Sequence, residues 1–252
     1  MKLYEICFSP TGGTAKVSHI LSKEWDCAAE WIDLTKQDLE LPRLCEDDVC
    51  IISVPSYAGR VPSLAAERIG RLKGNGAIAV LAVVYGNRAY EDTLLELKDL
   101  LMKDGFHCAA AVAAVAEHSI VREIAVGRPD EQDQVELTAF ARKIRLALEN
   151  GGLGDDVTVP GNRPYRETRP SALKPVPGES CVRCGLCAKN CPAGAISPKN
   201  PFEVCFESCI ACMRCVSICP RHARVLDSEK LAALTAHLAA PCAVRKENEC
   251  FL

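Results

Sequence analysis

The amino-acid sequence predicts an α/β protein in which a doubly wound parallel sheet of five strands is followed by a small α+β domain. Over the first 150 residues, short apolar runs alternate with segments of helical character, as repeated β-α-β units require. The apolar runs show little polar alternation, which is typical of strands buried on both faces. The last 72 residues then carry eleven of the 16 cysteines, which indicates a second unit of different construction.

Each strand and helix of the first half has a local signal. The strands are expected in LYEICF, EWIDL, VCIISV, AIAVLAVV and HCAAAVAAVA. The helices are expected to begin at Thr14, Pro62, Tyr90 and about Glu131, and Gly151 with Gly152 supplies the stop for the last one.

Composition changes define the predicted boundaries. Residues 1–150 form the sheet domain, and 151–179 form a linker or extended crossing segment rich in Gly, Pro and charged residues. Residues 180–226 form the small domain, and 227–252 form a C-terminal helix and tail. That helix is expected to begin at Asp227 or Ser228, and the tail either packs on the sheet domain through Phe251 and Leu252 or is frayed.

Charge and hydropathy exclude several classes of partner. With 30 Lys and Arg against 33 Asp and Glu, the net charge of −3 lacks the basic excess of a nucleic-acid-binding protein. The longest apolar runs are too short to span a bilayer and no leader pattern opens the chain, so neither nucleic acid nor membrane is an expected partner. A cytoplasmic location is expected, where many cysteines favour metal or redox chemistry over disulfides.

The C-terminal cysteines form a repeated unit. CVRCGLCAKNCP and CIACMRCVSICP are offset by 28 residues, and each has the spacing C-x2-C-x2-C-x3-C-P. This spacing resembles that of bacterial 2(4Fe-4S) ferredoxins, in which the fourth cysteine of each run binds the other cluster. The resemblance implies that one cluster is held by Cys181, Cys184, Cys187 and Cys219, and the second by Cys209, Cys212, Cys215 and Cys191.

Structural zinc is the alternative for these cysteines. Zinc uses paired C-x2-C units in one tetrahedral site and needs neither a third cysteine at the same spacing nor the following proline, so it is disfavoured. Cys205, Cys242 and Cys250 lie outside the repeat and are expected to be inert, although Cys205 precedes Cys209 by only four residues.

The segment SPTGGT joins the first strand to the first helix. A helix N-terminus with convergent N–H groups suits a bound anion. A P-loop is disfavoured because Lys16 is misplaced, and a dinucleotide site because G-x-G-x-x-G is missing, although Asp33 is suitably placed. SPTGGT instead resembles the flavodoxin loop that binds the phosphate of FMN, while a plain N-cap and turn is the alternative.

The flavodoxin resemblance also places the isoalloxazine ring at the ends of strands 3 and 4. It implies that Tyr57 stacks on the ring, with Tyr85 or Tyr90 second, that Gly59 lets the backbone reorient, and that Arg60 and Arg88 stabilise reduced flavin. Packing or surface roles are the alternatives. The predicted cofactor-binding residues are Ser9, Pro10, Thr11, Gly12, Gly13, Thr14, Pro55, Ser56, Tyr57, Ala58, Gly59, Arg60, Tyr85, Gly86, Asn87, Arg88 and Tyr90.

The entire chain resembles the flavodoxin–ferredoxin fusions of anaerobic bacteria and archaea. The resemblance implies FMN and two 4Fe-4S clusters, and an electron-transfer protein that couples one-electron carriers to a flavin. The expected partners are redox proteins of unspecified identity, with a homodimer as a further option. The alternatives are a flavin-dependent reductase, for which only His118 and Glu91 offer acid–base chemistry near the flavin loops, and, less favoured, a nucleotide switch. No catalytic residue is predicted.

Overall fold

The computed structural model describes residues 1–151, 154 and 156–252. Residues 152, 153 and 155 of the predicted linker lie outside the described residues. The N-terminal elements follow the predicted order: β1 (Leu3–Cys7), α1 (Gly13–Ser22), β2 (Ala29–Asp33), β3 (Val49–Pro55), α2 (Ser63–Ile69), β4 (Ile78–Tyr85), α3 (Thr93–Lys103), β5 (His107–Val115) and α4 (Glu131–Glu149). The C-terminal elements are β6 (Val176–Pro177), α5 (Leu186–Lys189), α6 (Arg214–Ser217), β7 (Arg224–Val225), α7 (Ser228–Ala239) and β8 (Glu249–Phe251).

The main sheet has the strand order β2-β1-β3-β4-β5-β8. Strands β1 to β5 are parallel, and their order 2-1-3-4-5 is that of the flavodoxin-like doubly wound fold. The predicted five-stranded parallel sheet is therefore confirmed. Such a sheet places candidate ligand-binding loops together at the carboxyl ends of its strands.

A sixth strand, which the sequence did not predict, extends the sheet at β5. Strand β8 runs antiparallel to β5, with Phe251 opposite Ala111 and Cys250 opposite Val112. The C-terminal tail therefore packs on the sheet domain, as one of the two expectations held, and Phe251 is one of its anchors. The pairing also covers part of an edge strand that would otherwise expose unpaired backbone groups.

Two hydrophobic layers cover the two faces of the sheet. On one face, the core includes residues of α2 and α3, such as Ile69 and Leu97, together with Ile52 of β3. On the other face, it includes residues of α1 and α4, such as Leu21 and Ile144. Because both faces are buried, the strands can be apolar throughout, which explains the unalternated runs in the sequence.

Helix α3 begins three residues later than predicted. Glu91 has a φ of 45°, a left-handed conformation that an α-helix excludes, so the chain turns through residues 90–92 first. The carboxylate of Asp92 then accepts hydrogen bonds from the backbone N–H groups of Asn162 and Arg166, at 2.8 and 2.7 Å. The segment around residues 162–166 is thus attached to the sheet domain.

The small domain is built around its two cysteine runs. Strands β6 and β7 form an antiparallel pair, and α5 and α6 each follow a left-handed residue, Gly185 with φ 76° and Met213 with φ 61°. These two residues are 28 positions apart, so the sequence repeat is also a structural repeat. None of the helices in the described ranges combines the length and apolar character needed to cross a bilayer.

Candidate functional site

The eight cysteines of the repeat line two separate small cavities. One cavity is lined by Cys181, Cys184, Cys187 and Cys219, and is called cavity A. The other is lined by Cys191, Cys209, Cys212 and Cys215, and is called cavity B. Each cavity takes three cysteines from one run and the fourth from the other run, which is the grouping that the ferredoxin resemblance implies.

The spacing of these cysteines suits a cluster better than a single ion. Among the described residues, no three His, Cys, Asp or Glu side chains lie close enough to hold one metal ion. Four thiolates around one tetrahedral zinc ion would be about 4 Å apart, whereas a cube binds each thiolate through a different iron and spreads them further. Each cavity is lined by four cysteines, the number of thiolates that a 4Fe-4S cluster binds, so the residues present fit such a cluster.

Cavity B is the more buried of the two. Burial raises the pKa of the Cys212 thiol to about 11 and that of Cys215 to about 12, and nearby cysteines, including Cys191 and Cys209, add to both shifts. Because Cys191 contributes to the pKa shifts of both Cys212 and Cys215, it lies close to the cysteines of the second run. Since metal binding requires thiolates, cluster assembly here must displace protons.

The loop after β1 has the form of an anion-binding turn. Gly12 has a φ of 95° and precedes the ten-residue helix α1, and the Ser9 Oγ accepts a hydrogen bond of 2.9 Å from the backbone N–H of Ala15. A Cβ built on Gly12 would meet no atom within 4 Å, so the loop is open there. The open helix N-terminus fits a phosphate group.

Tyr57 lies on a tight turn after β3. Its N–H and C=O pair with those of Arg60 at 3.0 and 3.1 Å, across Ala58 and Gly59, which both have positive φ. Gly59 has a φ of 82°, and a Cβ there would clash with the Glu91 side chain, so a larger residue would be strained. Burial raises the pKa of Tyr57 well above its usual value, and the nearby Cys212 adds to the shift. Tyr57 therefore lies beside cavity B.

The aromatic and amide side chains after β4 contact the C-terminal tail. Tyr85 is 6% exposed and packs on Tyr90, with the ring centroids 5.3 Å apart, while the Tyr90 hydroxyl donates to Glu249 at 3.0 Å. Asn87 donates to the carbonyls of Cys242 and Val244, both at 3.0 Å. These three predicted side chains thus pack on one another or bind the C-terminal tail.

Both predicted arginines are paired with carboxylates. The Arg60 Nε and Nη2 each donate to Glu96 at 2.7 Å, and Arg88 donates to Glu91 at 2.8 and 2.9 Å. These bidentate pairs offset the positive charge that a reduced flavin would use. Ser56 contributes to the same region by a hydrogen bond of 2.7 Å with the Thr93 hydroxyl.

His118 lies over Gly86 and is electrically neutral at neutral pH. A Cβ at Gly86 would be 2.4 Å from the His118 Cδ2, so the imidazole covers the loop after β4. The His118 Nδ1 accepts from the N–H groups of Ile120 and Val121, at 3.2 and 3.0 Å. Burial, with help from the Arg88 cation, lowers the pKa of His118 to about 4.

Three side chains that sequence analysis missed join the two domains. The Arg214 Nη1 approaches the carbonyl oxygens of Ser9 and Pro10 at 3.4 and 3.3 Å. Gln37 Nε2 donates to the Cys191 carbonyl at 2.7 Å, and Arg68 Nη2 donates to the Pro192 carbonyl at 2.7 Å. Arg214 could have been noticed as the one cation within its cysteine run, whereas nothing in a single sequence marks Gln37 or Arg68.

Comparison with protein families supports the assignment of the small domain as a 4Fe-4S domain. Residues 180–224 match the family model of the 4Fe-4S dicluster domain. No curated protein sequence matches the chain significantly.

Among solved structures, the chain is similar to a flavodoxin from Streptococcus pneumonia TIGR4, with 17% identity over 57% of this chain and 98% of that chain and a TM-score of 0.39. It is also similar to a short-chain flavodoxin associated with a bacterial microcompartment, with 15% identity over 57% of this chain and 95% of that chain and a TM-score of 0.36. The strand order of the sheet, rather than these distant likenesses, identifies the fold. The chain therefore joins a sheet domain of flavodoxin-like strand order to a segment, residues 180–224, that matches the 4Fe-4S dicluster domain family.

Proposed function

We propose that this chain transfers electrons, within one molecule, between two 4Fe-4S clusters in cavities A and B and an FMN at the flavodoxin-like loops. One observation carries the proposal: cavity B faces those loops. Tyr57 lies beside Cys212, and Arg214, between Cys212 and Cys215, contacts the carbonyls of Ser9 and Pro10. Donor and acceptor sites in one docked chain need no diffusional encounter.

The FMN phosphate is proposed to bind at residues 9–14. The N–H groups and the dipole at the start of α1 would stabilise its negative charge. The open space at Gly12 leaves room for the phosphate. Tyr57 and the backbone of residues 86–88 are proposed to border the ring. FMN, when bound, can take two electrons in single steps, which matches carriers that give one at a time.

The external redox partner is proposed to dock at cavity A. Cys184 is exposed, and Val182 and Leu186, which also line cavity A, are 60% and 39% exposed. Exposed apolar side chains beside a redox centre provide a surface for transient docking of a carrier protein. Cavity B, by contrast, lies beside the sheet domain, since Gln37 and Arg68 donate to the carbonyls of Cys191 and Pro192. The cytoplasmic location and the homodimer stay predictions from the sequence.

Within the described residues, no observation favours the alternative of a flavin-dependent reductase. A cleft of about 510 Å³ does lie between the domains, but its lining includes Asp33, Thr35 and Lys189, on the β2 side of the sheet. Arg214 also lines this cleft, but none of the described lining residues belongs to the loops after β3 and β4. His118, one of the two acid–base candidates, uses its Nδ1 to hold the turn at Ile120 and Val121.

The test begins with cofactor counts on anaerobically purified protein. About eight irons and one FMN per chain are expected, since two four-iron clusters are proposed. The clusters are then reduced by rapid mixing with dithionite, and flavin absorbance is followed. Electron transfer within the chain predicts flavin reduction at a rate independent of protein concentration.

The matched variants for this test are Arg214→Ala and Arg221→Ala. Arg214 contacts the phosphate loop, whereas Arg221 is an exposed arginine that lines cavity A. Slower flavin reduction in the first variant alone is expected. A preparation with zinc and no flavin, or a flavin rate that rises in proportion to protein concentration, would refute the proposal.

A further inference from the structure

The two cavities differ at one pair of equivalent positions. Ile196 lies five residues after Cys191, and Arg224 lies five residues after Cys219, so the 28-residue repeat aligns them. Both side chains are buried, each with 4% exposure. Ile196 lines cavity B and Arg224 lines cavity A, so an apolar side chain in one cavity corresponds to a guanidinium in the other.

The Arg224 side chain donates a hydrogen bond to one cysteine of cavity A. Its Nη2 donates to the Cys187 Sγ at 3.1 Å and to the Pro201 carbonyl at 2.6 Å. Its Nη1 is buried and has no hydrogen-bond partner among the described residues. Nor, in the described part of the chain, does any carboxylate form an ion pair with it. A buried cation without a counter-charge is costly, so the four thiolates of a cluster are its natural partner.

A buried cation beside a cluster favours the reduced form. Reduction adds one negative charge to the cluster, and a guanidinium in a low-dielectric setting attracts that charge more strongly than in water. A hydrogen bond to a ligand sulfur acts in the same direction, since both are established determinants of cluster potential. Arg224 also lies within electrostatic range of Cys209 and Cys215 of cavity B, but it donates a hydrogen bond to neither in the structure.

We infer that Arg224 gives the cluster in cavity A a higher reduction potential than the cluster in cavity B. This inference rests on the proposed function, because it requires both clusters to be present. The step is the transfer of one electron from a low-potential donor to the cluster. The arginine stays protonated throughout, so no proton moves with the electron.

The inference predicts where electrons are held. The first electron entering an oxidised chain resides in cavity A, the cavity further from the flavodoxin-like loops. Cavity B, beside Tyr57, fills second and passes its electron to the flavin site. The chain can then store one electron at its exposed end and deliver another, which suits a converter between one-electron carriers and a two-electron centre.

The experiment is an anaerobic reduction titration of the holoprotein with dithionite, followed by electron paramagnetic resonance. Cys184→Ser, which alters a ligand in cavity A, assigns the two signals. In the Arg224→Leu variant, the equilibrium constant for reducing the cavity A cluster is expected to fall at least tenfold, which is 59 mV for one electron. Arg224→Gln keeps a donor but removes the charge, and should give part of that shift.

Arg221→Leu is the matched control: Arg221 also lines cavity A, but it is exposed, so solvent screens its charge and its loss should change that constant far less than tenfold. The inference is overturned if both Arg224 variants hold about eight irons and keep the wild-type separation of potentials. It is equally overturned if neither variant retains iron, because Arg224 would then be needed for cluster assembly. Wild-type protein that lacks a second cluster would instead refute the proposed function.

Discussion

Arg68 of α2 reaches across the domain boundary and donates a hydrogen bond of 2.7 Å to the carbonyl oxygen of Pro192, in the turn that follows the first cysteine run. The residue is 6% exposed, and its guanidinium also donates to the Leu34 carbonyl. One buried side chain thus connects the loop after β2 to the turn that positions Cys191. The contact between the two domains therefore involves a residue that lines cavity B.

Replacing Arg68 tests this connection. Arg68→Leu leaves two buried carbonyls without their charged donor, and we expect a loss of about 2–3 kcal/mol in the free energy of unfolding. Slower flavin reduction after rapid reduction of the clusters should accompany it. Arg71→Leu is the matched control, since Arg71 is an exposed arginine three residues away. Equal effects in the two variants would rule out a role for Arg68 in docking.

Cys191→Ala tests the crossed grouping of the cysteines. Because Cys191 lines cavity B with the cysteines of the second run, the variant should lose chiefly the cluster of cavity B and keep that of cavity A. Iron analysis should show about four irons lost, and electron paramagnetic resonance should show one surviving cluster signal. Cys205→Ala is the control, because Cys205 is exposed and lines neither cavity. Selective loss of the cavity A cluster would contradict this grouping.

The sequence predicted those features that depend on local patterns. The apolar runs located five parallel strands within a few residues, and the repeated spacing grouped the eight cysteines that line the two cavities. Strand β8 was not predicted because three residues carry no periodicity, and its pairing depends on a tail that meets β5 about 140 residues away along the chain. The packing of Tyr85 against that tail could not be predicted either, because it also depends on where the distant tail lies.

The domain contacts could not be predicted because they depend on the tertiary arrangement. Gln37 follows β2 in a segment that looks like ordinary polar surface, yet it donates to the Cys191 carbonyl across 154 residues of sequence. Arg68 occupies a helix where an arginine is usually solvated, and only the approach of the Pro192 turn buries it. Such contacts are set by how two folded units meet, which local propensity does not determine.

Asn87 is expected to anchor the C-terminal tail. Its amide donates to the Cys242 and Val244 carbonyls, and its Oδ1 accepts from the Lys246 N–H at 2.9 Å. In Asn87→Ala, the opening free energy of β8 should fall by about 2 kcal/mol, because buried backbone groups lose their partner. Amide hydrogen exchange in β8 should then be roughly thirtyfold faster.

The control for this prediction is Asn150→Ala, which changes an exposed asparagine at the end of α4. Exchange in β8 should be unchanged in that variant. Protection of β8 that survives Asn87→Ala would show that the β5–β8 pairing alone holds the tail.

His118 is expected to make stability depend on pH. Burial, and secondarily Arg88, lowers its pKa from 6.5 to about 4, so the native imidazole is neutral between these values while the unfolded one is protonated. The unfolded state then binds the extra proton, and stability is complete above pH 6.5 and falls as the pH drops towards 4. The loss should approach about 1–3 kcal/mol, reduced from the ideal value by partial solvent access.

His118→Asn isolates this contribution, because an asparagine oxygen can accept from the N–H groups of Ile120 and Val121 but does not titrate in this range. Denaturant unfolding of the holoprotein between pH 5 and 7.5 should show a smaller pH slope in this variant than in wild type. The exposed His237 provides the matched variant His237→Asn, whose slope should equal that of wild type. Acid sensitivity of the clusters affects all three proteins alike, so the difference between slopes reports on His118. Identical slopes in all three would mean that the His118 imidazole titrates near 6.5 in the native protein.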